Sequence, residues 1–321
     1  MLATENLPVA FDDILRAAER IQPRVKRTPV MRSHGFDARA GLAAFLKCEN
    51  LQTGGAFKIR GATNFVRSIP PADLPRGVVA YSSGNHAQAV AIAARAAGTK
   101  ATLVMPGDAP RSKMEATRAQ GAEIVIYDRF RDDRAAIATR IAQETGATLV
   151  PPFDHPWIIA GQGTTALELL EEVPDLDTLV APIGGGGLMS GCSIAAKGMR
   201  PNIRIIGVEP EAANDTFQSL AQGRRVEIPA PDTIADGLRV PCPGAVTFPI
   251  IQRNVERVVL VSEDEIREAV KFLLLRLKIL VEPSGAVSAA AVLFGKLPEG
   301  CGRVGIVLSG GNVDFEVLAG F

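Results

Sequence analysis

Cysteine and histidine are scarce in this chain. Its 321 residues hold four cysteines and three histidines. Cys48, Cys192, Cys242 and Cys301 are widely spaced and form no CxxC pair, which argues against a zinc cluster. Scattered thiols in a chain of this length fit a reducing compartment. Net charge is missing too, with 35 Lys plus Arg against 35 Asp plus Glu. A nucleic-acid partner would need a cationic surface to neutralise phosphates. One local basic pair, Arg224-Arg225, reads as a solvated loop. No apolar run is long enough to cross a bilayer, and the most apolar stretch, roughly Gly285 to Gly295, reads as a buried helix. The first twenty residues lack the basic-then-apolar pattern of a secretory signal. Repeats, low-complexity segments and an evident linker are also absent. The expectation is a soluble, cytoplasmic protein with neither a nucleic-acid nor a membrane partner.

What is present is a regular alternation. Hydrophobic residues make up 47% of the chain, enough for one large core or two smaller ones. Strand-like runs fall at Val78–Tyr81, Ala101–Met105, Glu123–Tyr127, Thr148–Val150, Thr178–Ile183, Arg204–Val208, Val258–Val261 and Val304–Leu308. Helix-like stretches lie between most of them: Asn85–Ala97, Arg111–Gln120, Asp132–Thr145, Thr164–Glu172, Leu188–Met199 and Glu263–Lys278. Such alternation predicts βαβ units around parallel sheets. Ser262 followed by Glu265 is a capping box at the head of the last of these helices. The Pro-rich stretch from Ile228 to Pro249 is the longest irregular region, of the kind that covers a site.

Four segments carry chemistry. Gly184-Gly185-Gly186-Gly187 follows a predicted strand and opens a predicted helix. Without Cβ atoms its N–H groups can converge on one point beside the helix N-terminus, which makes an anion cradle suited to phosphate. The Gly-Lys-Ser ending of a nucleotide P-loop is missing, and G-x-G-x-x-G fails because Met189 and Ser190 stand where the third glycine would fall. An adenine nucleotide is therefore disfavoured, and a small phosphorylated cofactor stays open. The second segment is Gly54-Gly55-Ala56-Phe57-Lys58-Ile59-Arg60-Gly61. A lysine between apolar neighbours can lose its charge and attack a carbonyl, although taken alone Lys58 reads as a surface residue of the following helix. The third, Ser82-Ser83-Gly84-Asn85-His86, is a polar strand-to-helix junction. It is either a simple helix cap or a nest for a carboxylate or ring oxygen. The fourth, Ser309-Gly310-Gly311-Asn312, directly follows the last strand. Three of the four sit at the carboxyl ends of predicted strands, where open α/β sheets bind ligands, so they read as one site.

Together these segments resemble the fold-type II pyridoxal-phosphate enzymes, and within them the serine/threonine dehydratase and serine racemase group. The resemblance runs from Arg27-Thr28-Pro29 to Ser309-Gly310-Gly311-Asn312, through Ala160-Gly161-Gln162-Gly163-Thr164 and Ile234-Ala235-Asp236-Gly237. It implies a tryptophan synthase β-like α/β fold with two open, twisted, mainly parallel sheets flanked by helices. Residues 1–51 and 149–321 would form a large cofactor-binding domain, and 52–148 a small mobile one. It implies pyridoxal 5'-phosphate, a small amino-acid substrate and a homodimer. By the same resemblance Lys58 is the Schiff-base lysine, Phe57 packs near the ring, Asn85 binds the ring hydroxyl, and Gly184, Gly185, Gly186 and Gly187 hold the phosphate. Ser309 faces the pyridine nitrogen, with Glu282 nearby. Ser82, Ser83, Gly84 and His86 form the loop that receives the substrate carboxylate, and Ser83 matches a second acid/base. Arg134 matches an arginine that contacts a carboxylate, and Glu209, the backbone of Ala213 and Asp215 match a site for Mg²⁺ or Ca²⁺.

The activity so implied is loss of water from a β-hydroxy amino acid of the threonine or serine type, giving an oxo acid and ammonia, with Lys58 as base at Cα. A serine hydroxyl opposite the pyridine nitrogen leaves the ring a weaker electron sink than an aspartate would, which favours immediate loss of the β-hydroxyl over a long-lived carbanion. Phe153 and Val240 stand where serine racemase carries polar residues. They lean the pocket toward threonine or a bulkier substrate such as phenylserine, while Arg134 keeps hydroxyaspartate in play. Amino-acid racemisation, with Lys58 and Ser83 as opposed bases, is the alternative on the same scaffold.

Overall fold

A computed structural model describes residues 7–82, 84–109, 111–128 and 131–321. Ten strands among them form two sheets. The larger sheet contains β1 (Val30–Met31), β2 (Ala43–Cys48), β7 (Thr178–Pro182), β8 (Arg204–Pro210), β9 (Arg257–Val261) and β10 (Arg303–Leu308). Its order is β1-β2-β10-β7-β8-β9. All its pairings are parallel except β1 with β2. The smaller sheet is built from β3 (Val78–Tyr81), β4 (Ala101–Pro106), β5 (Glu123–Tyr127) and β6 (Thr148–Leu149), in the order β5-β4-β3-β6 and parallel throughout.

The described helices are α1 (Phe11–Ile21), α2 (His34–Ala40), α3 (Lys58–Ser68), α4 (Asn85–Ala97), α5 (Arg111–Arg118), α6 (Arg134–Thr145), α7 (Pro156–Glu172), α8 (Gly187–Met199), α9 (Asp215–Gln222), α10 (Thr247–Asn254), α11 (Glu263–Phe272), α12 (Pro283–Leu293) and α13 (Phe315–Ala319). Both sheets are covered on both faces, because successive strand residues point to opposite sides. Leu179 and Ala181 of β7 join a core with α1, α7, α8 and α10, while Val180 between them joins a second core with α2, α11 and α12. In the smaller sheet Val78 and Ala80 pack under α3 and α4, and Val79 packs under α6.

The predicted parallel α/β frame is the one observed. Three local differences have physical causes. The strands β1 and β2 escaped the sequence pattern, because β1 is two residues long and β2 carries Lys47 near its end. That lysine is wholly buried and donates to Glu168 on α7 at 2.6 Å, so a charge that argues against a core strand is neutralised from 121 residues away. Helix α7 begins at Pro156, not Thr164. Its early glycines, poor helix formers, are there for contact: a Cβ on Gly161 would lie 2.7 Å from the Arg60 carbonyl, and one on Gly163 2.7 Å from that of Gly191. The stretch Glu263–Lys278 is not one α-helix. α11 passes into a wider π turn over Leu273–Leu277, and Lys278 (φ 62°) closes it in the left-handed region. The Ser262–Glu265 capping box is present. The apolar stretch after Gly285 lies in the wholly buried α12. Among the described residues no helix is long and apolar enough to cross a membrane.

Candidate active site

The carboxyl ends of β3, β7 and β10 open on one cavity. It is lined by Lys58, Asn85, Gly184 to Gly187, Glu282 and Ser309, and also by Ser82, Gly84, His86 and Arg134. The segments singled out by sequence thus converge. Ser83 lies outside the described residues.

Lys58 is the first residue of α3, and the loop before it is docked onto the loop after β10. The Phe57 N–H donates to the Ser309 carbonyl at 3.0 Å, the Gly311 N–H donates to the Gly55 carbonyl at 2.8 Å, and Ala56 bridges Gly310. Gly55 has φ +71°, and the Asn312 side chain fills the space where its Cβ would sit, 2.1 Å away. Only glycine meets both demands. Two residues beyond Lys58, Arg60 is buried and hydrogen-bonded to Glu49 at 2.7 and 2.8 Å and to Glu168 at 2.7 Å twice. Lys47 joins through Glu168, so two cations and two anions close a neutral buried network that pins α3 to β2 and α7. Removing one partner of such a network costs about 3–5 kcal/mol.

The Lys58 amine donates to the Pro152 carbonyl at 2.9 Å and lies 5.2 Å from the Phe57 ring centroid. Burial lowers its pKa to about 8, against the opposing pull of Glu282. A sizeable neutral fraction at neutral to mildly alkaline pH is what a carbonyl-capturing lysine requires. His86 is buried with Nε2 3.1 Å from the Val150 carbonyl. A carbonyl only accepts, so Nε2 carries the proton. Burial, then the nearby Lys58, pushes its pKa down to about 3, which leaves it neutral.

Asn85 opens α4 and is held from both ends. Its amide nitrogen donates to Glu282 Oε1 at 2.7 Å, and its oxygen accepts from Asn312 Nδ2 at 2.9 Å. Glu282 precedes α12, is 3% exposed, and is fixed by its own N–H to the Gly310 carbonyl at 3.1 Å. The Ser309 hydroxyl donates to the Ser284 carbonyl at 3.3 Å.

The glycine loop joins β7 to α8. Gly186 has φ +92° and a Cβ there would meet Ile251 at 2.7 Å and Thr247 at 2.8 Å, while a Cβ on Gly185 would meet the Phe153 ring at 2.4 Å. The loop is therefore glycine by necessity, with its backbone bared to the cavity at the N-terminus of α8. That arrangement suits a phosphate dianion. Also lining the cavity, the Arg134 guanidinium lies 5.7 Å over the Tyr81 ring, and among the described residues no carboxylate pairs with it. Phe153 lines the cavity, yet its ring is pressed against Gly185, and its Cβ and backbone against Gly187. Val240 and Leu238 line it from the irregular stretch before α10. Tyr81 as the seat of Arg134 and Pro152 as the acceptor for Lys58 had no sequence signal, since a backbone carbonyl carries none.

The acidic pair lies elsewhere. Glu209 lies near the end of β8 and accepts from the N–H groups of Thr216 and Phe217 at 3.1 and 2.8 Å. Asp215 opens α9 with both carboxyl oxygens buried and, among the described residues, without a hydrogen-bond partner. Burial first, then Asp215, raises the Glu209 pKa well above its usual range, and burial carries Asp215 up to about 7. Two buried acids, one with both oxygens unmet, form a donor set that suits a hard divalent cation.

A bared glycine cradle facing a partly neutral amine, at the strand ends of an open parallel frame, defines an enzyme built around a small phosphorylated carbonyl cofactor. The chain belongs to the pyridoxal-phosphate-dependent enzymes, whose family pattern matches residues 21–310. It is 47% identical to the L-threo-3-hydroxyaspartate ammonia-lyase of Saccharomyces cerevisiae, over 96% of this chain and 95% of that protein. It is 45% identical to the serine racemase of Schizosaccharomyces pombe, over 99% of each. A solved threonine deaminase, that of T.th., superposes with a TM-score of 0.89 at 42% identity, covering 95% of this chain and 99% of that one. The frame is accordingly fold type II.

Proposed function

We propose that the protein is an ammonia-lyase that removes water from a β-hydroxy amino acid of the threonine, serine or hydroxyaspartate type, yielding an oxo acid and ammonia. The observation that carries this reading is the single cavity shared by the Lys58 amine, the glycine loop and Ser309. When bound, pyridoxal phosphate supplies a carbonyl for an amine to capture and a sink for the electrons of a broken Cα–H bond. The residues do the rest. The backbone of Gly184 to Gly187 would hold the phosphate, Asn85, itself fixed by Glu282 and Asn312, would hold the ring hydroxyl, and the Ser309 hydroxyl would serve the ring nitrogen. Lys58 would hold the cofactor through its amine, neutral in part, and would serve as the base for the Cα proton. Ser82, Gly84 and the neutral His86 shape the seat of the substrate carboxylate.

Arg134 supports a substrate with a second carboxylate, because a guanidinium at the mouth without a carboxylate among the described residues gains most from one. The contact of Phe153 with the glycine loop weakens the case for phenylserine, since part of the ring's surface is already spent. A cation at Glu209, the Ala213 backbone and Asp215 would be structural, away from Lys58. Residues 52–148 act as the smaller unit that closes on 1–51 and 149–321, and the working form is a homodimer in a reducing cytoplasm.

The racemase reading is kept by the 45% identity to a serine racemase over nearly the whole chain. A screen of oxo-acid release over the isomers of serine, threonine, phenylserine and hydroxyaspartate, with chiral analysis of recovered substrate, separates the two. Oxo acid and ammonia in equal amounts are expected. Inversion without ammonia would replace the lyase by a racemase.

A further inference from the structure

The tripeptide 152–154 touches three parts of the site at once. The Pro152 carbonyl receives the Lys58 amine at 2.9 Å. The Phe153 ring fills the space above Gly185, and its Cβ and backbone lie against Gly187. The Asp154 carboxylate accepts from three consecutive N–H groups, those of Ala245, Val246 and Thr247, at 2.9, 2.8 and 3.1 Å. A carboxylate on the first turn of α10 is favoured by its exposed N–H groups and its dipole. The consequence falls on Thr247. Its hydroxyl donates to the Gly185 carbonyl at 2.7 Å, and the Gly244 N–H reaches the same oxygen at 3.3 Å.

A trans peptide points its C=O and the next N–H in opposite directions. Holding the Gly185 carbonyl back against Thr247 therefore turns the Gly186 N–H the other way, to the side of the bared loop. Without that bond a run of four glycines has many other backbone states, since glycine resists few of them. Preorganised donors cost nothing to align when the anion arrives.

We propose that Asp154 and Thr247 are positioning residues for the phosphate cradle. Asp154 sets the first turn of α10, and Thr247 passes that setting to the glycine loop. Neither has to touch the cofactor. The proposal rests on the reading that Gly184 to Gly187 hold the phosphate.

The test compares two ligands that differ only in the phosphate, pyridoxamine 5'-phosphate and pyridoxamine. Neither has an aldehyde, so neither attaches to Lys58. Equilibrium dialysis of the cofactor-free full chain gives both dissociation constants, and their ratio is the phosphate's contribution. Quenching of Trp157, the only tryptophan, gives a second readout. Thr247→Val keeps the shape and removes the hydroxyl; Thr247→Ser restores it; Asp154→Ala removes the brace one step back. The ratio is expected to fall about tenfold in Thr247→Val and Asp154→Ala, with pyridoxamine binding nearly unchanged, and to recover in Thr247→Ser. A general loosening would weaken both ligands alike and leave the ratio intact, which overturns the proposal. A ratio near one in the wild type would remove the cradle reading itself, and the brace with it. A wild-type preference that survives both variants would remove the brace alone.

Discussion

Asn85 and Glu282 meet at 2.7 Å across the cavity, amide nitrogen to carboxylate oxygen. The contact joins the head of α4, beside the smaller sheet, to the residue just before α12 beside the larger one. It also places the negative charge that holds up the Lys58 pKa against burial. Glu282→Gln can keep the hydrogen bond while losing the charge, so the Lys58 pKa should drop below about 8. Only the neutral amine captures an aldehyde. The capture rate of pyridoxal phosphate by cofactor-free protein should therefore rise with pH to a plateau, with its midpoint near 8 in the wild type and lower in Glu282→Gln. Stopped-flow absorbance reads both midpoints. Coincident midpoints would show that Glu282 does not set the charge state of Lys58.

Arg134 and Tyr81 pack together in the lining of the cavity. Loss of a charge-assisted contact is worth about 1.5–3 kcal/mol, or roughly ten- to a hundredfold in kcat/KM. Arg134→Leu should lower kcat/KM for hydroxyaspartate by that factor, chiefly through KM, and change that for threonine by less than about threefold. Equal losses on both substrates would mean that Arg134 serves the fold and not the choice of substrate.

Glu209 and Asp215 are buried together, and among the described residues no cationic side chain pairs with either. A divalent ion would relieve both, and anything that binds only the folded state raises the melting temperature with its concentration. Wild-type protein treated with chelator should gain several degrees on addition of millimolar Mg²⁺ or Ca²⁺, and Asp215→Asn should gain none. Equal behaviour of the two proteins in differential scanning calorimetry would leave the pair a solvent-free acid cluster without a metal.

Much of this was legible in the sequence, for reasons that differ by residue. The glycine loop declared itself because four glycines at a strand–helix junction have few other uses, and the geometry shows Cβ atoms barred at Gly185 and Gly186. Most strands and helices followed from period alone. Lys58 was ambiguous locally and gained its meaning from the company of the other segments. What escaped was held by distant partners. Lys47 looks wrong in a strand until Glu168 is placed beside it. The glycines early in α7 look like helix breakers until α3 and α8 press against them. Asp154 and Thr247 are 93 residues apart and match no pattern. Side-chain partners of this kind are fixed by the crossing of chain segments, which local composition does not encode.

The most direct measurement is borohydride reduction of the protein loaded with pyridoxal phosphate, followed by peptide mapping. The expected result is one pyridoxyl group per chain, on Lys58, with Lys58→Ala unlabelled and its lyase activity down by at least about a thousandfold, as for loss of a nucleophile that also serves as base. A label on any other lysine, or none, would contradict the assignment on which every role above depends.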